Sequence, residues 1–161
     1  MSIESLKLIA VDVDGTLTDG NYYVGENGKI HKNFHTRDSY ALNQAKNDGF
    51  KILIITGATD DIHREKFGYK YDVISGSRDK LVDLSKYLQT NNMTWEDVAY
   101  IGDAENDYRC ILEAGFPSCP SDAVPEGVEH SAYVANASGG KGAVYEIIRY
   151  IYKLRKMPWP M

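Results

Sequence analysis

Two kinds of hydrophobic pattern alternate along the chain. Continuous apolar runs, such as Leu8, Ile9, Ala10 and Val11, are typical of strands that are buried on both faces of a sheet. Between these runs, apolar residues recur every three to four positions, which is typical of helices that cover a sheet. The alternation predicts an α/β fold with a Rossmann-like, mostly parallel sheet and flanking helices.

The predicted elements follow from these patterns. Strands are predicted at 7–13, 51–55, 71–74 and 98–101, with shorter candidates at 116–119 and 133–135. Helices are predicted at 39–48, 60–67, 80–90 and 106–114, and from residue 142 to just before Pro158, with a helical turn at 94–97.

One segment breaks the alternation directly after the first strand. Two β-rich runs, 21–24 and 29–34, flank a turn that contains Asn27-Gly28, and Asn-Gly between such runs favours a hairpin. The pattern therefore predicts a hairpin flap over about residues 19–35, projecting over the carboxyl edge of the sheet, where open α/β sheets bind their ligands.

Composition and charge narrow the class of protein. A chain of 161 residues with 43% hydrophobic residues fits one packed domain, residues 1–161. The net charge of −5 and the lack of a basic run argue against a nucleic-acid partner, which requires clustered Lys and Arg. We find neither a signal peptide nor an apolar run of membrane-spanning length, so we expect a cytoplasmic protein without a membrane partner.

Candidate chemistry begins with Asp12 and Asp14 at the end of the first strand. Residues separated by one position point to the same side of a strand, and acids at the end of an apolar strand are costly unless a metal or a reaction uses them. Gly15 permits the sharp turn that would expose them. A surface turn with a capping aspartate remains the alternative interpretation of this motif alone.

Three further motifs lie at predicted strand ends or helix starts. Thr56-Gly57 offers a hydroxyl and backbone N–H groups for a phosphate. Lys80 opens a predicted helix, and Asp103 and Asp107 follow the strand at 98–101. Taken singly, these are also explained by a capping turn, a surface lysine and a helix cap.

The order DxDGT, Thr-Gly, Lys, GDxxxD resembles the haloacid dehalogenase superfamily of phosphatases over essentially the whole chain. The resemblance implies Mg²⁺ held by Asp12, Asp103 and the backbone carbonyl of Asp14, with Asp12 as nucleophile and Asp14 as general acid and base. It implies that Thr56, Gly57 and Lys80 hold the phosphate, and that Asp107 holds Lys80 or a metal-bound water. Hard oxygen ligands suit Mg²⁺.

A finer resemblance is to the capless branch, without a cap domain, that contains the 3-deoxy-D-manno-octulosonate 8-phosphate phosphatases. It is carried by the hairpin and by the segments 34–39, 76–80 and 139–144. It implies a keto-sugar acid phosphate as substrate, a role in lipopolysaccharide biosynthesis and a homotetramer with hairpin contacts. Arg37 and Lys141 are the candidate substrate-binding cations, because a guanidinium matches a carboxylate in a bidentate contact.

Departures from that branch keep other functions open. This chain has Ser39 and Lys141 where the octulosonate enzymes usually have Gly and Arg, and Ala58 where the side chain differs between substrate groups. A phosphatase of a nine-carbon sugar acid, such as N-acylneuraminate 9-phosphate or its deaminated analogue, is the first alternative. A noncatalytic scaffold or a phosphoacceptor signalling domain is the alternative of another class.

Overall fold

The computed structural model describes residues 3–161 and contains one parallel sheet and a small hairpin. The strands are β1 (Leu8–Val11), β2 (Tyr23–Val24), β3 (Ile30–His31), β4 (Lys51–Ile55), β5 (Asp72–Ile74), β6 (Val98–Ile101), β7 (Phe116–Cys119) and β8 (Tyr133–Val134). The helices are α1 (Thr36–Asn47), α2 (Ile62–Phe67), α3 (Lys80–Thr90), α4 (Tyr108–Glu113), α5 (Pro125–His130) and α6 (Ala143–Leu154). The sheet order is β5-β4-β1-β6-β7-β8, with every pairing parallel. The predicted α/β class is confirmed.

The central strand β1 is buried on both faces of the sheet. Ile9 and Val11 pack in a core with α1 and α6, whereas Leu8 and Ala10 pack in a second core with α3 and α4. Side chains alternate between the faces of a strand, so a strand covered on both sides must be apolar throughout. This explains the continuous apolar run in the sequence.

Helix α6 covers the first of these cores. Its residues Val144, Ile147, Ile148 and Ile151 are fully buried, at the spacing expected of one helix face. It begins after Gly142, whose φ of 98° is readily accessible only to glycine. Among residues 3–161, no helix is long and apolar enough to cross a membrane.

The structure departs most from the predicted helices at α1 and α5. Helix α1 begins at Thr36, three residues before the predicted start, because the His35 ring caps it by accepting a hydrogen bond from the Arg37 N–H at 3.2 Å. Helix α5 was not predicted, because six residues with Gly127 inside them are too short to display a helical period.

The predicted hairpin is present but its ladder is short. Strands β2 and β3 pair over two residues each, and a bridge between Thr18 and Phe34 closes the base. Asn27 and Gly28 have φ values of 59° and 72°, the left-handed conformation that an Asn-Gly hairpin turn uses.

Candidate active site

The predicted motifs meet at the carboxyl ends of the central strands. Strand β1 lies between β4 and β6, so the loops that follow these three strands open at one edge of the sheet. The chain continues from β1 to β4 on one side and later returns to β6 on the other side of β1. Ligands of open α/β sheets bind in the crevice at the point where the strand order reverses in this way.

A buried lysine joins two of these loops. The Lys80 ammonium lies 2.5 Å from Oδ1 of Asp12 and 2.7 Å from Oδ1 of Asp107. All three side chains are almost entirely buried. Burial alone would lower the pKa of Lys80, but the charges of Asp12 and Asp107 outweigh burial and raise it. Lys80 is therefore a fixed positive charge beside Asp12.

Asp107 is fully occupied by protein donors. Its Oδ1 accepts hydrogen bonds from Lys80 and from the Tyr100 hydroxyl, and its Oδ2 accepts from the backbone N–H groups of Asp103 and Ala104. A carboxylate offers about four acceptor positions, so little capacity remains for another ligand. Of the two contacts expected for Asp107, with Lys80 or with a metal-bound water, the structure contains the contact with Lys80.

The loop that follows β1, here called the first loop, packs directly against Asp103. The Thr16 hydroxyl donates to Oδ1 of Asp103 at 2.8 Å. Gly15 has a φ of 89°, and a Cβ there would lie 2.1 Å from Oδ2 of Asp103. Both the backbone conformation and the space therefore require glycine, and this close approach brings Asp103 next to Asp12.

Three carboxylates form a cluster here, those of Asp12, Asp103 and Asp107. One oxygen from each of them lies within 4.8 Å of the other two. Burial, and then the neighbouring Asp107 charge, raise the pKa of Asp12 well above its usual value. Burial also raises the pKa of Asp103. Three clustered carboxylates with one ammonium favour binding of a further cation. Asp12 and Asp103 have acceptor capacity left, so this donor set fits a hard divalent metal ion.

Thr56 and Gly57 complete the same pocket. Thr56 is buried, and its Oγ1 accepts from the Ala58 N–H at 3.1 Å. A Cβ on Gly57 would lie 3.4 Å from the Ser77 carbonyl oxygen and 3.6 Å from the Asn106 amide nitrogen. The Thr-Gly motif thus touches the segments before Lys80 and after Asp103.

Arg37 and Lys141 come together at the edge of the site rather than at the carboxylates. They line one cavity of about 310 Å³ with Tyr145 and Arg149, and the Arg37 guanidinium lies 5.9 Å from the Tyr145 ring centre. The turn that carries Lys141 packs on the first loop, since a Cβ on Gly139 would lie 1.8 Å from the Gly15 carbonyl oxygen. The turn therefore connects this cavity with the loop that carries Asp12 and Asp14, although no residue of that loop lines the cavity.

Comparison with known proteins agrees with this geometry. The haloacid dehalogenase-like hydrolase family matches residues 58–148. The 3-deoxy-D-manno-octulosonate 8-phosphate phosphatase of Salmonella typhi is 33% identical over 147 residues, which are 89% of this chain and 78% of the relative. The chain belongs to the haloacid dehalogenase-like hydrolase family.

Two further relatives of this haloacid dehalogenase-like hydrolase are informative. The octulosonate 8-phosphate phosphatase of Moraxella catarrhalis, solved with a magnesium ion, a phosphate ion and the sugar acid, superposes with a TM-score of 0.87 and 32% identity, covering 94% of this chain and 88% of that one. N-acylneuraminate cytidylyltransferase A of Danio rerio is 28% identical over 95% of this chain but only 36% of its own length. The predicted enzyme class, a phosphatase of this superfamily, is confirmed.

Sequence reasoning missed Lys32 as a residue of the hydrolase site. Its ammonium lies 2.9 Å from Oδ1 of Asp14 and 2.8 Å from Oδ2 of Asp60, and its side chain is 0% exposed. Burial opposes its charge, but the two carboxylates raise the pKa of Lys32 above its usual value. In the sequence it is one polar residue among several on a hairpin strand, and only the fold reveals its partners.

Asp38, beside Arg37, is a buried acid that the sequence did not single out. Its Oδ1 accepts from the Tyr145 N–H at 2.8 Å, which ties α1 to α6. Its Oδ2 is buried without a hydrogen-bond partner. Burial raises the pKa of Asp38 to about 6, so the ionised carboxylate of Asp38 destabilises the folded hydrolase at neutral pH.

We predict that Asp38→Asn removes a pH-dependent destabilisation. Because the folded pKa lies above the unfolded value of about 4, the penalty is absent below about pH 4, grows as the pH rises to 6 and is constant above that. The variant should therefore gain about 2–3 kcal/mol relative to the parent between pH 4 and pH 7. Urea unfolding of both proteins across this range measures the difference, and parallel pH profiles would contradict the prediction.

Proposed function

We propose that this chain is a Mg²⁺-dependent phosphomonoesterase that works through a phosphoaspartate on Asp12. The observation that carries the proposal is the placement of Asp12 at a strand end, between the Lys80 ammonium and the carboxylate of Asp103. A carboxylate nucleophile can attack a phosphate monoester only where the negative charge of the phosphate is neutralised, and this pocket concentrates the groups that achieve it.

Asp12, Asp103 and the backbone carbonyl of Asp14 are the groups that we propose hold Mg²⁺. When bound, the ion neutralises phosphoryl oxygens and favours the ionised form of the carboxylates around it. Asp107 keeps Lys80 in place from the other side. The Lys80 ammonium, the Thr56 hydroxyl and the Gly57 N–H hold the remaining phosphoryl oxygens.

In the first step, an Asp12 oxygen forms a bond to phosphorus while the bond from phosphorus to the sugar oxygen breaks. Asp14 gives its proton to the departing oxygen, which leaves as an alcohol. In the second step, Asp14 takes a proton from a water molecule as that water attacks phosphorus. The bond from phosphorus to Asp12 breaks, and inorganic phosphate leaves with the nucleophile restored.

The substrate that we propose is 3-deoxy-D-manno-octulosonate 8-phosphate. Similarity to phosphatases of this compound supports it, as does the cavity that Arg37, Lys141 and Arg149 line, because it offers cations to a sugar carboxylate. The phosphate of a nine-carbon sugar acid is the second candidate. It is favoured by the similarity of 95% of the chain to a neuraminate cytidylyltransferase, and Ala58 matches neither substrate group.

We propose a homotetramer in which the hairpins contact one another, and a cytoplasmic location. Three hairpin side chains are about half exposed or more: Tyr22 at 54%, Tyr23 at 47% and Val24 at 69%. Apolar side chains grouped on one projecting element favour an interface. Contact between hairpins would also cover the active site, over which residues 3–161 form no cap domain.

Asp12→Asn should lower turnover of p-nitrophenyl phosphate at least about 10³-fold, the scale of losing an essential catalytic group, because an amide cannot form the phosphoenzyme. It should also weaken the rise in melting temperature that Mg²⁺ produces, since one metal ligand loses its charge. The exposed Asp72→Asn, on the sheet edge, is the matched control and should behave like the parent. Near-parental turnover by Asp12→Asn would refute the mechanism.

Arg37→Ala should reduce kcat/KM for the octulosonate phosphate by about 10- to 150-fold, because a charge-assisted contact to a carboxylate is worth roughly 1.5–3 kcal/mol. Turnover of p-nitrophenyl phosphate, which has no carboxylate, should change little. Lys86→Ala, an exposed change on α3, controls for the loss of positive charge. Equal losses on both substrates would assign Arg37 to the phosphate or the fold instead.

Val24→Asp should dissociate the tetramer, because it places a charge in the proposed hairpin contact. Multi-angle light scattering at assay concentration measures the mass. Leu112→Asp is the matched control, since Leu112 is 50% exposed on α4 and lies outside the hairpin. A parent protein that is monomeric and active would rule out the proposed assembly.

A further inference from the structure

Lys32 connects the hairpin to two loops of the sheet edge. It follows β3 in the chain, and its ammonium contacts Asp14, in the loop after β1, and Asp60, in the loop after β4. The Tyr22 ring, from the residue just before β2, lies 5.2 Å from the same ammonium. A lysine with no exposed side-chain surface is rare unless it is paired, and this one has a carboxylate from each loop.

Asp60 is itself held in place. Its Oδ1 accepts from the Ile62 N–H at 3.2 Å, at the start of α2, while its Oδ2 faces Lys32. The buried His63 ring lies on the same side, with Nδ1 3.6 Å from Oδ1 of Asp60. Asp60 is therefore a rigid anchor for the lysine, fixed by the first turn of a helix.

Among the described residues, Asp14 has no comparable anchor apart from Lys32. The ammonium lies 2.9 Å from one carboxylate oxygen of Asp14 and 3.2 Å from the other. Within residues 3–161, no second side chain forms a hydrogen bond or an ion pair with the Asp14 carboxylate. The side chain is 26% exposed, so without Lys32 it would be free to rotate toward solvent.

We infer that Lys32, anchored by Asp60, is a positioning residue that aims the Asp14 carboxylate at the leaving oxygen. The inference rests on the proposed function, in which Asp14 donates its proton to the departing sugar oxygen and later accepts one from water. When Asp14 is protonated, one oxygen can still accept from Lys32 while the O–H is directed at the substrate. The hairpin thereby sets the geometry of proton transfer as well as enclosing the site.

The test compares leaving groups. Loss of proton donation slows the hydrolysis of esters with a more basic leaving group, and it has little effect where the leaving anion needs no proton. We would measure kcat/KM, which reports the steps through phosphoenzyme formation, for p-nitrophenyl phosphate and phenyl phosphate with Mg²⁺ present. The variants are Lys32→Met, Lys32→Arg, Asp60→Asn and Asp14→Asn, with Lys29→Met as the matched hairpin control. Circular dichroism and melting curves check that each variant folds.

Lys32→Met should lower kcat/KM for phenyl phosphate by about 10- to 100-fold, which is a part of the 10²–10⁴-fold that a general acid supplies. For p-nitrophenyl phosphate, its kcat/KM should fall by less than about threefold. Lys32→Arg should recover most of the phenyl phosphate activity. Asp60→Asn should give an intermediate ratio of the two activities, and Lys29→Met the parental ratio.

Three results would overturn the inference. Equal losses on both esters in Lys32→Met would make Lys32 a phosphate-binding or structural residue, and parental kcat/KM on both esters would give it no role in the reaction. A parental ratio in Asp60→Asn would remove Asp60 from the arrangement. If Asp14→Asn also showed no selective loss, the proposed role of Asp14 would fail first, which separates a failure of the mechanism from a failure of the positioning by Lys32.

Discussion

Repulsion among carboxylates at the end of the sheet is the constraint around which the site is organised. Asp12, Asp103 and Asp107 approach one another within 4.8 Å in a region from which water is largely excluded. Lys80 compensates part of this charge by bridging Asp12 and Asp107. Removing one partner of a buried ion pair leaves an uncompensated charge, so these loops depend on one another for their positions.

Close packing of glycines makes this crowding possible. Gly15 lets the first loop touch Asp103, and a Cβ on Gly102 would lie 2.4 Å from the Asp107 carboxyl carbon. At Gly139, the turn that precedes α6 reaches the backbone of the first loop. The contacts at Gly15 and Gly139 join segments that are far apart in sequence, and a side chain at either position would push those segments apart. The contact at Gly102 tightens the single loop that carries Asp103 and Asp107.

The orientation of the hairpin is set at its base. Its ladder is only two residue pairs long, so its orientation depends on contacts at its base. Lys32 makes those contacts with Asp14 and Asp60, while the side chains of residues 22–24 remain exposed. Charge thus fixes the base of the hairpin to two loops of the sheet edge, and the exposed side chains are available to another surface.

The sequence by itself determined the α/β class and the strands that precede the motifs, because buried strands are local patterns. It also predicted Asp12, Asp14, Thr56, Lys80 and Asp103 as one site, from motifs at strand ends and a helix start. It also located the Asn27-Gly28 turn, whose conformation is set within two residues. It did not reveal helix α5, which is too short for its period to show, or the early start of α1, which depends on the His35 cap. Only the tertiary structure decided that Lys32 faces Asp14, that Asp38 is buried against α6 and that Arg37 and Lys141 share a cavity. Each of these depends on residues that are distant in the chain, and a polar side chain carries no local signal of the partner that the fold will bring to it.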